Sequence, residues 1–285
     1  MIIGFVIAFF VYMLLNRFKL IRQQKQEIDV QHLQLEEKNR EMLDSINYAQ
    51  RIQNAILLSQ REIQKHLKNA FIFYKPKDVV AGDFYWLHAD DNQVLFAAAD
   101  CTGHGVPGAM VSVVCHNALN RSVREYNHTS PHQILNKTRE LVINEFDQSD
   151  EDVRDGMDIA LCALKGNTIE FSGAHNPLWI VRGDELIELK GDKQPVGKFE
   201  FAKDFNKHSF KLEKDDMVYV FSDGIIDQFG GDKGKKFKAA NFRKLLTSIA
   251  NLSIVDQHKA IEETFEKWRG NLEQLDDICV IGLRY

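Results

Sequence analysis

The stretch from Gly82 to Met110 places the strongest limits on how this chain folds. Its apolar run, Val94–Ala99, predicts a strand, and Asp100 follows directly. Residues 102–108 (Thr-Gly-His-Gly-Val-Pro-Gly) contain too many glycines for the interior of a strand or a helix, so they predict a loop. The apolar density of residues 109–123 then predicts a buried helix. Asp100 is therefore expected at a strand end, beside backbone that can approach a ligand closely.

Three further acidic positions share this setting at the margin of a strand. Asp83 opens an aromatic strand-like run, Asp223 follows the apolar strand at 217–221, and Asp276-Asp277 leads into an apolar strand at 278–281. Hard divalent cations take carboxylates, backbone carbonyls and waters as ligands. Because carboxylates gathered at one end of a sheet repel one another, such a group is stable only when cations neutralise it. The residues alone leave two interpretations open: a dinuclear Mg or Mn site, or a set of structural turn aspartates.

Length, charge and cysteine usage exclude several classes of protein. The 285 residues suffice for one large domain with appendages. The formal net charge of −5 gives no basic surface, so nucleic acid is not expected as a partner. The four cysteines contain no Cys-x-x-Cys pair, which disfavours a zinc site and favours reduced, buried thiols.

The N-terminus has the pattern of a membrane anchor. Residues 1–15 carry no charge, and basic residues begin at Arg17 and recur through Lys25. A cleaved signal peptide would have its basic residues before the apolar run. We expect residues 1–16 to form a single-pass anchor, either complete or a piece of a longer span, with a buried helix as the alternative. Basic residues on the C-terminal side place the rest of the chain in the cytoplasm, below an inner (cytoplasmic) membrane.

Residues 17–68 contain no proline or glycine and predict a long linker helix. Apolar residues repeat there with a strict period of seven, as expected of a left-handed coiled coil. The ladder consists of Ile21, Ile28, Leu35, Met42, Ala49, Ile56 and Ile63. The companion core positions are mostly polar, so the coil is expected to be weak; they are Lys25, His32, Asn39 and Gln53, with Ile46 the exception. A homodimer through this helix is the favoured interpretation, and a solvated connector helix is the alternative.

Residues 70–285 predict a globular domain. Strands are expected over 71–74, 83–88, 93–99, 157–164, 168–172, 178–182, 185–189, 205–212, 216–221 and 278–283, and helices over 107–125, 131–146, 239–249 and 254–269. The acidic stretch 147–152 predicts a surface loop, and His175-Asn176-Pro177 predicts a hairpin turn. Because strands follow one another closely and helices come in blocks, antiparallel sheets flanked by helices are favoured over a doubly wound fold.

Six motifs resemble, in order and spacing, those of the SpoIIE-like branch of the metal-dependent protein phosphatases (PPM, or phosphatase 2C type). They are Ala81-Gly-Asp-Phe-Tyr85, Ala99-Asp-Cys-Thr-Gly-His-Gly105, Ser172-Gly-Ala-His-Asn-Pro177, Gln194-Pro-Val-Gly197, Phe221-Ser-Asp-Gly224 and Asp276-Asp-Ile278. The resemblance covers about residues 70–285. It implies an α+β fold, an α-β-β-α sandwich of two antiparallel sheets between helices, with a metal site in a cleft at one end.

The resemblance also implies a ligand set for two Mn²⁺ or Mg²⁺ ions. Asp100 would bridge both ions, and the other implied ligands are Asp83 with the backbone carbonyl of Cys101 for one ion, and Asp223 with Asp276 for the other. Asp277 is the alternative to Asp276. In such a site a metal-bound water attacks phosphorus in line, without a covalent intermediate.

Two further roles are considered on the same basis. His104 is expected either to protonate the leaving oxygen or to cap the glycine loop. Eukaryotic relatives carry a phosphate-binding arginine where this chain has residues 78–81, so Lys75 and Lys77 are candidates for that role, with solvated loop lysines as the alternative. Asp155 and Asp158 are considered as residues lining the cleft but are not predicted ligands.

The function implied by the resemblance is that of a membrane-tethered serine/threonine phosphoprotein phosphatase. Substrates of this branch are commonly phosphorylated anti-sigma-factor antagonists, so a bacterial partner-switching pathway is the implied setting. A catalytically degenerate binding module is one alternative, which the complete set of motif aspartates disfavours. A two-metal phosphodiesterase or nuclease is another, which the acidic net charge and the ordered motifs disfavour.

Overall fold

The computed structural model describes residues 2–147 and 154–285. The chain divides into two compact units, Met1–Tyr48 and Ala49–Tyr285. The acidic stretch predicted as a surface loop lies, apart from Asp147, outside the described residues.

The first unit is helical throughout its described residues. They belong to α1, which runs from Ile2 to Ile56. Four rungs of the heptad ladder, Ile21, Ile28, Leu35 and Met42, expose between 56% and 62% of their surface. In the described part of the chain, one helix is long and apolar enough to cross a membrane, judged by length and composition alone, and it is this N-terminal one. Both the anchor and the pairing of the coil stay predictions.

The linker helix is not continuous to residue 68. The helix α1 ends at Ile56, and a second helix, α2, runs from Gln60 to His66. The break arises because the side chain of Ser59 accepts a hydrogen bond from the Glu62 amide and so caps α2. Ile63, the last rung of the ladder, is 3% exposed and lies in the core of the second unit. The seven-residue repeat therefore includes both exposed helix positions, such as Ile21, and a core residue of the second unit, Ile63.

The second unit consists of strands and helices in blocks. Its longer strands are β1 (Ala70–Lys75), β2 (Phe84–Ala89), β3 (Val94–Cys101), β4 (Gly156–Lys165), β5 (Thr168–Ala174), β6 (Leu178–Arg182), β7 (Glu185–Leu189), β9 (His208–Lys211), β10 (Met217–Phe221) and β13 (Ile278–Arg284). Short strands are β8 (Val196–Gly197), β11 (Phe229–Gly230) and β12 (Lys235–Lys236). The helices are α3 (Gly105–Arg124), α4 (Pro131–Phe146), α5 (Gly224–Asp227), α6 (Lys238–Ile249) and α7 (Ile254–Arg269).

These strands form two antiparallel sheets that pack face to face. One has the order β1-β13-β10-β6-β7, and the other has the order β2-β3-β4-β5-β9, with β8 added to β4. Buried side chains of both sheets, such as Phe96, Ile180 and Val220, share one cluster between them. The fold is therefore the predicted α+β sandwich.

The outer face of each sheet is covered by its own pair of helices. Leu119 of α3 and Ile134 of α4 pack on the β2-β3-β4 face. Phe242 of α6 and Phe265 of α7 pack on the face of β1, β13 and β10. Each helix thus buries an apolar stripe, as its sequence period predicts.

Three local predictions were wrong. The helix α3 begins at Gly105, inside the segment 102–108 that was predicted to be a loop. The strand β3 continues through Cys101, so Asp100 lies within a strand and faces Asp158 across the β3–β4 ladder. Residues 175–177 do not close a hairpin, because β5 pairs with β4 and β9 whereas β6 pairs with β10 and β7. This segment crosses from one sheet to the other. Local turn residues do not reveal which sheet receives the next strand.

Candidate active site

The four predicted carboxylates converge on one end of the sandwich. Asp83 precedes β2 and Asp100 lies in β3 of one sheet, whereas Asp223 follows β10 and Asp276 precedes β13 of the other. Asp100, Asp223 and Asp276 line a cleft of about 330 Å³. Asp83 is only 2% exposed, and its charge acts directly on that of Asp100. Two sheets thus contribute acidic side chains to one small volume.

Glycines next to these aspartates allow the segments to approach each other closely. A Cβ atom on Gly82, the neighbour of Asp83, would overlap the Gly103 carbonyl oxygen and lie 3.3 Å from the Cys101 carbonyl oxygen. A Cβ atom on Gly224, the neighbour of Asp223, would overlap the backbone of Asp277. The glycines of the motifs therefore set the spacing of the site. The Cys101 carbonyl lies beside Gly82, on the side of Asp83.

Crowding and burial raise the pKa values of these carboxyls. Burial, followed by the charges of Asp223 and Asp276, raises the pKa of Asp100 to about 8. Burial and then the charge of Asp100 raise the pKa of Asp83 well above its ordinary value, although a hydrogen bond from Ser222 opposes this. Burial also raises the pKa of Asp223, with neighbouring carboxylates adding to it. The protein alone does not neutralise this cluster.

The donor set fits hard divalent cations. The Oδ2 atom of Asp83 is buried and has no hydrogen-bond partner, although a buried carboxylate oxygen normally has one. Within residues 2–147 and 154–285, no group of three or more His, Cys, Asp or Glu side chains is arranged to hold an ion by itself. Mg²⁺ and similar ions take oxygen ligands and keep several waters in their coordination shell. The carboxylates around the cleft supply oxygen ligands of this kind.

The neighbours Asp276 and Asp277 have different surroundings. Asp277 is 1% exposed, and its two carboxylate oxygens accept hydrogen bonds from the amides of Lys77 and Gly82, each at 2.7 Å. Asp276 lines the cleft, and its Oδ1 accepts only the Asp277 amide, at 2.9 Å. Asp277 therefore fixes the loop before Asp83, whereas Asp276 keeps acceptor capacity that faces the cleft. This supports Asp276 as the ligand.

His104 lies at the cleft between two charged side chains. Its Nδ1 is 2.9 Å from Asp78 Oδ2, and its Nε2 is 3.0 Å from Lys77 Nζ. Since an ammonium only donates, Nε2 accepts from Lys77 and the Nδ1 proton is donated to Asp78. Lys75 instead pairs with Glu266 at 2.9 Å. Of the two predicted phosphate-binding lysines, Lys77 is the one beside the cleft residue His104.

The fold brings to the cleft Asp158, which the sequence analysis considered as a lining residue, and Arg154, which it missed. Asp158 lines the cleft and bonds His175 Nδ1 through its Oδ1 at 2.8 Å, while Asp155 is not among the described residues lining it. Arg154 also lines the cleft. The only available signal was the segment Arg154-Asp-Gly-Met-Asp158. It runs into β4, which begins at Gly156, and the register of β4 against β3 is set by long-range pairing.

Gln53, near the end of α1, holds the backbone segment that precedes Asp83. It is 4% exposed, and its Nε2 donates to the Ala81 carbonyl at 2.6 Å and to Ser112 Oγ at 3.0 Å. Its Oε1 accepts the Ala81 amide at 3.1 Å. Both backbone groups of Ala81, two residues before Asp83, are thus held by one buried amide. In the sequence, Gln53 was assigned to a polar position of the coil.

An α-β-β-α sandwich whose two sheets supply aspartates to one terminal cleft defines a phosphatase domain of the PP2C class. The family model described as Stage II sporulation protein E (SpoIIE) matches residues 90–285. The chain belongs to the SpoIIE family of PP2C-type phosphatases. The match begins after Asp83, so the place of Asp83 in the site depends on the motif at 81–85 and on the structure.

Individual proteins show the same relationship. The SiaA-PP2C domain of Pseudomonas aeruginosa is 30% identical, with a TM-score of 0.80 over 87% of this chain and 98% of that one. The phosphoserine phosphatase RsbU of Bacillus subtilis (strain 168) is 25% identical over 206 residues, 69% of this chain and 58% of RsbU. A structure of RsbX in complex with magnesium has the same fold, with a TM-score of 0.54, 13% identity, and coverage of 76% of this chain and 94% of that one. The chain thus spans little more than half of the curated relative.

Proposed function

We propose that this protein hydrolyses phosphoserine and phosphothreonine in a phosphoprotein. The observation that carries the proposal is the convergence of carboxylates from both sheets, with one buried oxygen of Asp83 left without a partner. This is an unfavourable arrangement for the protein alone and a suitable one for binding cations and phosphate. The name of RsbU, a phosphoserine phosphatase of the same family, supports the same activity.

Two Mn²⁺ or Mg²⁺ ions fit the residues present. We assign Asp83 and the Cys101 carbonyl to one ion, Asp223 and Asp276 to the other, and Asp100 to both. When bound, such ions lower the pKa of a shared water and polarise the phosphoryl group. RsbX, which shares the fold, is described with magnesium, and this supports the class of ion.

The remaining side chains position the substrate and the leaving group. Asp78 holds Nδ1 of His104, so that Nε2 faces away from it, beside Lys77 and at the cleft. Once Lys77 is displaced, Nε2 can take up a proton from solvent, and the resulting imidazolium, held by Asp78 through Nδ1, would donate that proton to the leaving serine or threonine oxygen. Asp158, which faces Asp100 across the β3–β4 ladder, binds Nδ1 of His175 at the cleft.

The proposed setting is bacterial signalling at a membrane. Residues 1–16 are the proposed single-pass anchor, residues 17–68 include the proposed dimerising helix, and the phosphatase domain lies in the cytoplasm. The apolar α1 helix and its exposed heptad residues support this arrangement. The proposed substrate is a phosphorylated protein of a partner-switching pathway, such as an anti-sigma-factor antagonist, and not a nucleic acid.

The direct test is release of phosphate by the full chain in detergent micelles with Mn²⁺ or Mg²⁺. We expect hydrolysis of p-nitrophenyl phosphate and of a phosphoserine peptide, and loss of both when EDTA is added. Bis-p-nitrophenyl phosphate, a diester, is the control substrate and should be poor. Diester cleavage that exceeds monoester cleavage would favour a phosphodiesterase, and no phosphate release with either metal would favour a binding module.

A further inference from the structure

The cleft contains a positive side chain that the metal site does not use. Of the described residues that line it, Arg154 is the one with a permanent positive charge. Asp100, Asp223 and Asp276 line the same cleft. A guanidinium therefore shares the cleft with the carboxylates assigned to the cations.

The backbone two residues after Arg154 is hydrogen-bonded to the segment that follows Asp100. The Gly156 carbonyl accepts the Thr102 amide at 3.1 Å and the Thr102 hydroxyl at 3.3 Å, and the Gly156 amide donates to that hydroxyl at 3.2 Å. On its other side Gly156 pairs with Gly197 of β8. Thr102 is two residues after Asp100, so these bonds hold the backbone two residues from Arg154 close to the proposed bridging ligand.

The predicted phosphate-binding lysines are not among the described residues that line the cleft. Lys75 forms an ion pair with Glu266, and Lys77 bonds Nε2 of His104. Arg154, in contrast, lines the cleft. A guanidinium also presents two parallel donors to two oxygens of a phosphate, which an ammonium does not.

We propose that Arg154 binds the non-bridging oxygens of the substrate phosphoryl group and of the phosphate product. The proposal rests on the proposed function, because it assigns a role at the same cleft. The two metal ions would neutralise most of the carboxylate charge, and Arg154 would add the positive charge that holds a phosphate dianion. Arg154 would thus replace the arginine that residues 78–81 do not supply.

The experiment compares four variants of the full chain in detergent micelles with excess Mg²⁺. They are Arg154→Ala, Arg154→Lys, Lys77→Ala, and Lys244→Ala as an exposed-cation control on α6. We expect Arg154→Ala to raise KM for p-nitrophenyl phosphate and the inhibition constant of inorganic phosphate about tenfold each, with a smaller effect on kcat. Arg154→Lys should recover part of the loss, and Lys244→Ala should match the parent. The Mg²⁺ concentration that gives half-maximal rate should not change in any of them.

Calorimetric titration with inorganic phosphate gives a readout that does not depend on turnover. The parent should bind phosphate, and Arg154→Ala should bind about tenfold more weakly, even if the parent proves inactive on monoesters. Thermal unfolding of each variant checks folding, and Arg154→Lys carries the test if Arg154→Ala unfolds. Parent-like phosphate affinity in Arg154→Ala, no phosphate binding by the parent, or the whole effect appearing in Lys77→Ala would each overturn the assignment.

Discussion

The adjacent pair Asp276 and Asp277 gives the sharpest test of the site. We expect Asp277→Asn to lower stability and Asp276→Asn to abolish activity with folding intact. The two substitutions make the same chemical change one residue apart, so each serves as the control of the other.

The expected loss in Asp277→Asn follows from its two hydrogen bonds. An asparagine retains one acceptor oxygen and turns its NH₂ group toward the second backbone donor, so the amide of Lys77 or of Gly82 is left without a partner. A buried unsatisfied donor costs about 1–3 kcal/mol, and the remaining bond loses its charge assistance. We expect about 2–3 kcal/mol in the free energy of unfolding. For a domain of this size that corresponds to a fall in Tm of about 4–12 °C.

Asp276→Asn should behave in the opposite way. Its single internal bond, from the Asp277 amide, survives because Oδ1 is retained. Removing one charge from a group of mutually repelling carboxylates should leave the metal-free Tm unchanged or higher. Activity should fall by more than about 100-fold, since even outer partners of metal ligands account for 10–100-fold. The assays are thermal unfolding in EDTA and Mn²⁺-dependent hydrolysis of p-nitrophenyl phosphate.

Two results would refute this reasoning. Parent-like unfolding of metal-free Asp277→Asn would show that its two backbone contacts contribute little. Full activity in Asp276→Asn together with inactive but stable Asp277→Asn would move the metal ligand by one residue.

Four further predictions follow from the same structure. Asp100→Asn should fold and lose all but a few per cent of Mn²⁺-dependent activity, and calorimetry should show weaker Mn²⁺ binding; retained activity would reject the bridging role. His104→Ala should keep its metal affinity and lose rate mainly on a phosphoserine peptide, whose leaving group is poor; equal losses on p-nitrophenyl phosphate would exclude a general acid. Lysine at both Leu35 and Met42 should separate the dimer in sedimentation, and a monomer as active as the parent would make the coil a tether only. Burial, and then the charge of Arg124, lower the pKa of His116 to about 4. Between pH 6.5 and pH 4 the unfolded chain therefore binds more protons than the folded one, and up to about 3 kcal/mol of the free energy of unfolding should be lost as the pH falls through this range. His116→Gln should remove that part of the pH dependence in chemical unfolding.

Local patterns were enough to predict most of the fold. The predicted bounds 131–146, 178–182, 185–189 and 254–269 agree with α4, β6, β7 and α7. In these segments a Pro, Gly or Ser at the margin coincides with a change in apolar period, so local chemistry marks both ends. Where the margin depends on distant pairing, as at Asp100, the predicted strand was too short.

What the sequence could not predict is long-range in origin. Ile63 fitted a heptad ladder yet belongs to the core, because a period reports that a side chain is buried and not what buries it. Gln53 looked like a polar coil position, and its bonds to Ala81 depend on how α2 and β1 return the chain. Asp158 was considered as a cleft residue but not as a ligand, and Arg154 was missed; both reach the cleft through the register of β4 against β3. No local motif encodes such a register.

The site holds buried carboxylates close together although their charges repel one another. Asp100 and Asp158 face each other across two strands, an arrangement that like charges destabilise. The strands hold them together because three apolar clusters fix both sheets and their helices. Glycines at 82 and 224 then bring the loops so close that the carboxylates cannot move apart. The raised pKa of Asp100 and the unpartnered oxygen of Asp83 show that the repulsion between the buried carboxylates is not balanced within the protein. Binding of divalent cations would balance it.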